Sequence, residues 1–356
     1  MNNLNSVTKW SFHSWKIYYR MRRTQIEDIS KAKVFVTSAY DDREPIQSFL
    51  EIADLDKFKI HSLVNNPDEA DFILFVENSR YHHDYFFSEL LKNELVLKYP
   101  EKVFMYNPHD QPWFVLPGLY ACMPSWLYDD TKLAATPYME TINPFIHHDE
   151  SREPIYLFSF DGRINSRPRR KIFQLKEPRA KLILTSTNIY GNQSIQTKQD
   201  YANLLLDSKF VLAPKGAGTS SYRLFEAMKA GRVPVIISDN WVRPPGLDWE
   251  SFAIFVAEKD IARLPEILTN EEKNWRIKGQ LARENWEQFF ADDTKFHYLI
   301  NTIIKINAKP RRTNLSFEIL NKFAFLKFCF RRLVIQQIKH HYFKFKGERH
   351  FALNRH

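Results

Sequence analysis

Residues 208–241, SKFVLAPKGAGTSSYRLFEAMKAGRVPVIISDNW, decide the fold. Phe210, Val211, Leu212 and Ala213 form a short apolar run closed by Pro214, the pattern of a buried strand. Lys215-Gly216-Ala217-Gly218 follows as a loop with two glycines and one cation. Thr219, Ser220 and Ser221 are N-cap candidates for a helix that runs from Tyr222 to about Ala230 and stops at Gly231. Val233 to Ile237 is a second apolar run, with Asp239 at its carboxyl end. Strand, glycine loop, helix and strand make one βαβ unit, and the N terminus of its helix offers unpaired N–H groups and a positive dipole end, both suited to a phosphate. A solvated βαβ turn has the same local pattern. No Gly-Lys-Ser/Thr closes the loop, and it is not a GxGxxG fingerprint.

Outward from this unit, strands and helices alternate. Val34–Thr37, His61–Val64, Ala70–Val76 and Val103–Tyr106 read as strands, and residues 49–58 and 84–98 as helices. In the second half Ile155–Phe160 reads as a strand ending in Asp161-Gly162-Arg163, followed by a strand at Leu182–Leu184, a helix over 197–207, a strand over 252–256 and helices over 261–268 and 271–290. Such alternation predicts parallel sheets covered on both faces. The expected organisation is a basic aromatic arm (1–30), a first Rossmann-like domain (31–150), a second (151–290) and a helical basic tail (291–356). Residues 129–154, polar and punctuated by Pro137, Pro144 and Pro154, are expected to be the passage between domains. Residues 108–128, rich in Pro, Trp and Tyr, follow a strand. Ligands in open α/β sheets bind outside the carboxyl ends of strands, so His109 and Asp110 are site candidates, with a turn-forming Asp and a structural His as the plainer alternative.

Pro214-Lys215-Gly216, Ser221-Tyr222-Arg223-Leu224-Phe225-Glu226-Ala227, Gly231-Arg232-Val233-Pro234-Val235-Ile236, Ser238-Asp239-Asn240-Trp241 and Pro244-Pro245 together resemble the C-terminal half of the exostosin family. The resemblance is firm over about residues 155–260 and architectural only over 30–150. It implies a GT-B fold, two Rossmann-like domains facing a cleft. It also implies an inverting, metal-independent glycosyltransferase of hexosyl or glucuronyl type, acting in polysaccharide or glycoconjugate synthesis. The donor would be a nucleotide sugar, UDP-linked by family analogy, and the acceptor a glycan or lipid-linked glycan. No cofactor is expected beyond that donor.

A glycosyltransferase must stabilise a departing nucleoside diphosphate and deprotonate an acceptor hydroxyl. Without a metal, N–H groups, a helix dipole and cations meet the diphosphate charge. Lys215, Gly216, Gly218, Ser220, Ser221 and Arg223 have residue types that suit this. Glu226, three residues after Arg223, matches the family's Arg-x-x-Glu pair and could accept from ribose hydroxyls; the same spacing elsewhere is an ordinary intrahelical ion pair. Arg163 matches the basic position that opens the family's donor domain, and an Arg fork suits a diphosphate. Arg167 to Lys171 read as a surface basic cluster. Asp239, Trp241 and Arg243-Pro244-Pro245 could border the donor, or Trp241 could be core. For the general base, Asp110 ranks first, Asp161 second and His109 third.

Composition bounds the alternatives. The chain has 356 residues, 44% hydrophobic, with 29 Phe, 16 Tyr and 8 Trp, enough for two globular cores. Cys122 and Cys329 are its two cysteines and make no disulfide framework. HExxH and paired cysteines at zinc spacing are missing, there is no Asp-x-Asp motif of the GT-A kind, and the adjacent pairs His82-His83, His147-His148 and His340-His341 cannot share a helix face, so no metal site is expected. With no apolar leader or span, a cytoplasmic location is expected, peripheral at the inner face of the membrane if the tail binds lipid. The net charge of +9 matches the tail: residues 309–349 hold eleven Lys or Arg against Glu318 and Glu348. Within the tail Ile319, Phe323, Leu326, Phe330, Leu333 or Val334, and Ile338 recur at helical spacing. That stripe can pack on the first domain or lie on an anionic membrane surface. No nucleic-acid motif accompanies the charge. A non-catalytic sugar-nucleotide or glycan-binding subunit at the membrane is the other reading of the whole chain.

Overall fold

The computed structural model describes residues 31–41, 44–77, 84, 87–110, 112–139, 143–185, 193–310, 315–327, 330 and 334. The arm over 1–30, most of the tail beyond 327, and His82-His83 and His340-His341 lie outside the described residues.

In chain order the first domain carries β1 (Lys33–Thr37), α1 (Glu44–Leu55), β2 (Ser62–Leu63), β3 (Phe72–Val76), α2 (Ser88–Lys92), α3 (Glu94–Lys98), β4 (Val103–Asn107), β5 (Gly118–Tyr120) and β6 (Leu133–Ala135). These strands form one sheet in the order β2-β1-β3-β4-β5-β6, and every pairing is parallel. The central strands β3 and β4 are buried along their whole length, as a sheet covered on both faces requires. Two expectations are corrected here. The helix over 84–98 is two short helices broken at Asn93, whose side chain accepts from Leu95 N and caps the second. Residues 118–120, which the sequence did not single out as a strand, and 133–135, expected to belong to the passage between domains, are the fifth and sixth strands.

The second domain carries β7 (Tyr156–Gly162), α4 (Arg167–Ile172), β8 (Ala180–Leu184), α5 (Ile195–Leu206), β9 (Ser208–Pro214), α6 (Tyr222–Lys229), β10 (Val233–Ile237), α7 (Trp249–Phe252), β11 (Ile254–Phe255), α8 (Leu264–Glu271) and α9 (Trp275–Phe289). Its sheet has the order β11-β10-β9-β7-β8, again all parallel. Both sheets therefore repeat one scheme, in which the first strand sits between the second and the third. The connections leave in opposite directions at β1/β3 and at β7/β9, and a crevice opens there at the carboxyl ends.

The last long helix, α10 (Lys295–Asn307), leaves the second domain and packs on the first. Phe296 meets Phe49 of α1 edge to face, with centroids 5.7 Å apart. Residues 315–327 continue as a helix on the same domain, where Phe325 stacks on Trp113 at 4.2 Å. Two parallel α/β domains, a cleft between them and a chain that returns to the first make this a GT-B fold.

Candidate active site

The glycine loop and α6 are shaped by their own backbone chemistry. Lys215 N donates to Ile237 O at 3.0 Å, which ties the loop to the end of β10. The helix ends as its sequence predicts. Gly231 takes φ +68°, a left-handed value natural to glycine, while its N–H donates to Met228 O and the N–H of Arg232 to Ala227 O. The helix start departs from expectation. Ser221 is the N-cap residue, extended at φ −148° and ψ 134°, but its side chain makes no capping hydrogen bond. Ser220 and Ser221 are 5% and 6% exposed, and both hydroxyl oxygens are buried with no hydrogen-bond partner among the described residues. Leaving a buried hydroxyl unpaired costs about 1–3 kcal/mol, and here two lie at the positive end of a helix. An anion at that point would satisfy both.

Cations converge on the same end. Arg223 donates from Nε to Asp161 O at 2.7 Å, and its guanidinium carbon lies 5.2 Å from the Phe160 ring centroid. Arg169 stands 5.6 Å from the same centroid and donates from Nη2 to Pro214 O at 3.3 Å. Only 6% exposed, Arg169 corrects the reading of 167–171 as a uniform surface cluster, since Arg167, Arg170 and Lys171 are exposed and Arg169 is not. Ser166 caps α4 by accepting from Arg169 N, and its hydroxyl donates to Lys215 O at 2.8 Å, so the start of α4 is stitched to the glycine loop.

These groups surround a cavity of about 150 Å³, open to solvent, at the β7/β9 crevice. Eight of the residues singled out from sequence line it: Asp110, Asp161, Arg163, Gly216, Ser220, Ser221, Arg223 and Glu226. Glu226 accepts from Tyr201 Oη at 2.6 Å, and burial raises its pKa above the ordinary carboxylate value. Asp161 accepts from Thr185 Oγ1. Asp110 reaches the cavity from the first domain. Burial raises its pKa too, and the Cys122 thiol points at its Oδ1 from 3.7 Å. That thiol also contacts Tyr138 Oη at 3.1 Å, and burial pushes its pKa up to about 12, which leaves it un-ionised and inert near neutrality. Tyr138 and Tyr222 stack at 3.6 Å on one wall.

Five candidates lie elsewhere. Lys215 pairs with Glu258 Oε1 at 2.6 Å. Asp239 accepts from Glu258 N at 2.9 Å and donates from its own N to Glu258 Oε1 at 3.3 Å, so Glu258 holds the loops after β9, β10 and β11 together. Gly218 sits in the seam between domains, where a β-carbon would lie 2.5 Å from Cys122 Sγ and 2.7 Å from Asp110 O. Trp241 also belongs to that seam. It bridges Pro124 and meets Trp249 edge to face at 5.0 Å. His109 N donates to Asn107 Oδ1, and the residue does not line the cavity. Sequence reasoning passed over Arg169, Tyr138, Asn143, Tyr201 and Tyr222, all of which line it. Only Arg169 and Tyr222 carried a local signal, through their places next to a strand end and a helix start. Among the described residues no group of three or more His, Cys, Asp or Glu could hold a metal ion.

The family model described as Exostosin GT47 domain matches residues 123–270, which span the loop entering the seam, both crevice strands and the glycine loop with its helix. Over those residues, about two fifths of the chain, it is similar to an exostosin GT47 domain. An Exostosin-1 homolog of Caenorhabditis elegans is 42% identical over 81 residues, 22% of this chain and 21% of that protein. Exostosin-1 of Drosophila melanogaster is 28% identical over 171 residues, 42% of this chain and 22% of that protein. These matches thus span about a fifth of each relative's length. A variant of S. aureus TarM in complex with Fondaparinux, α-GlcNAc-glycerol and UDP superposes at a TM-score of 0.39 with 12% identity, over 73% of this chain and 58% of that one, too loosely to carry an argument. Every cavity residue from Tyr138 to Glu226 falls within the matched residues, whereas Asp110 lies before them. Among the described residues no helix is long and apolar enough to cross a membrane.

Proposed function

We propose that this chain is an inverting glycosyltransferase that takes a sugar from a nucleotide donor, UDP-linked by analogy with the exostosin resemblance, and passes it to a glycan or lipid-linked glycan hydroxyl. The observation that carries the reading is the pair of buried, unpaired hydroxyls of Ser220 and Ser221 at the N terminus of α6, flanked by Arg169 and Arg223. A diphosphate there would receive hydroxyl, backbone N–H and guanidinium donors, the set that stabilises a leaving group without a metal. Glu226, oriented by Tyr201, would accept from the ribose hydroxyls. Asp110, facing the donor helix from the opposite domain, would take the proton of the acceptor hydroxyl. That oxygen attacks the anomeric carbon as the bond to the diphosphate breaks.

The test is calorimetric binding of UDP, GDP and their sugar conjugates in EDTA, with the wild type, Ser220→Ala and Ser221→Ala. One nucleotide should bind the wild type, and each substitution should weaken it by about tenfold to a hundredfold, the worth of a hydrogen bond to a charged group. Unchanged affinity in both variants, or binding only with a divalent ion, would remove the basis for this site.

A further inference from the structure

The helix over 315–327 has two apolar faces. One packs on the first domain through Phe317 (6% exposed), Asn321 (3%) and Phe325 (8%). Asn321 clamps Phe114 by accepting from its N at 3.3 Å and donating to its O at 2.9 Å. The stripe singled out from sequence is the other face. Leu315, Ile319, Phe323, Leu326, Phe330 and Val334 are between 40% and 70% exposed. At 3.6 residues per turn they span about 100° of the helix, centred about 180° from the packed face. Lys322 and Lys327, both exposed, flank the stripe on either side. Glu318, the acidic residue of this helix, is neutralised by Lys132 at 2.9 Å.

We propose that this ridge is a docking surface for an anionic lipid bilayer, lying in the membrane plane with the stripe among the acyl chains and the two lysines reaching back to acidic headgroups. Charge complementarity selects the partner. Among the described residues neither Lys322 nor Lys327 has an acidic partner, and the sequence from 328 to 349 adds six more Lys or Arg against Glu348. A second copy of the chain would bring like charges face to face. Residues 1–30 carry five Lys or Arg against Glu27 and Asp28 and are disfavoured for the same reason. A bilayer surface supplies both requirements at once, apolar depth beneath the ridge and negative charge at its edges. The inference stands on this helix alone and does not depend on the donor site.

The full chain should cosediment with phosphatidylcholine vesicles that contain phosphatidylglycerol and far less with pure phosphatidylcholine, and added salt should weaken the binding. Ile319→Glu combined with Phe323→Glu should reduce it at least about tenfold by removing apolar insertion, and Lys322→Glu with Lys327→Glu should reduce it by a similar factor by reversing the flanking charge. Because both pairs are exposed, melting should stay cooperative near the wild-type temperature, and nucleotide affinity serves as a second check of folding. Equal binding to both vesicle types, no binding to either, or undiminished binding of the Ile319/Phe323 variant overturns the proposal. So does a wild-type dimer that the Ile319/Phe323 variant converts to monomer, since the stripe would then be a self-interface.

Discussion

Asp110 faces the donor helix across the cleft with a carboxyl that burial holds above its ordinary pKa. A base in that position works only when ionised, so transfer should fall as pH drops through its raised pKa. Asp110→Asn should cost about a hundredfold to ten-thousandfold in kcat, the range for a lost general base, with nucleotide affinity within about twofold of wild type. If Asp110→Asn turned over at the wild-type rate, the base would have to be sought elsewhere in the cavity. The Arg223–Glu226 spacing was legible in sequence because it is local, one face of one helix. The supports of those residues were not. Tyr201 lies 25 positions before Glu226, and Phe160 comes within about 6 Å of both the Arg169 and Arg223 guanidiniums only when β7 and β9 pair.

At the scale of elements, β1 and β3 end at a buried carboxylate. Glu77 accepts from Ser38 Oγ and from Ala39 N, each at 3.0 Å, and burial lifts its pKa from the ordinary 4.5 to about 7. His61, beside β2, stacks on His297 of α10 at 5.0 Å, and burial together with that neighbour lowers its pKa from 6.5 to about 4. The signs oppose. Glu77 binds its proton more tightly when folded, so its stabilisation is complete below pH 4.5 and is lost as pH rises towards 7. His61 binds its proton less tightly when folded, so its stabilisation is present above pH 6.5 and is lost as pH falls towards 4. Each displacement covers about 2.5 pH units, or about 3 kcal/mol, and the two offset one another over one window. Relative to wild type, Glu77→Gln should therefore gain melting temperature steadily from pH 4.5 to 7, and His61→Phe should gain it from pH 6.5 down to 4. Parallel melting curves across that range for either variant would contradict the assignment. Periodicity located β1, β3 and β4 because they are long apolar runs, but it missed β5 and β6. Those are three residues each, and Leu133-Ala134-Ala135 has little intrinsic strand preference. They are strands because the neighbouring register at Met105–Asn107 offers parallel partners, which is tertiary information.

On the scale of the whole molecule, the donor loop is part of the domain seam. Thr219 Oγ1 donates to Met123 O at 3.1 Å, Ser125 N to Asn240 O at 2.9 Å, and Gly218 lies against Cys122 and the backbone of Asp110. The residues that would hold the leaving group are thereby set against the residue that would serve as base, and the distance between them depends on how closely the domains approach. Gly218 reads from sequence as a phosphate-binding glycine, yet what requires glycine there is close contact with the other domain. Gly218→Val would force the seam apart, since even a β-carbon has no room at 2.5 Å from Cys122 Sγ. Such overpacking costs about 1–3 kcal/mol, which a chain able to open along its cleft can relieve by rotating the domains. The radius of gyration in solution should then rise, transfer should fall at least about tenfold, and nucleotide affinity should change far less, because Ser220, Ser221, Arg223 and Glu226 all stay in the second domain. A variant with wild-type transfer and an unchanged radius would show that the seam yields locally and that domain approach does not set the reactive geometry. Loss of nucleotide affinity equal to the loss of transfer would instead return Gly218 to the phosphate-binding role that its place in the loop first suggests.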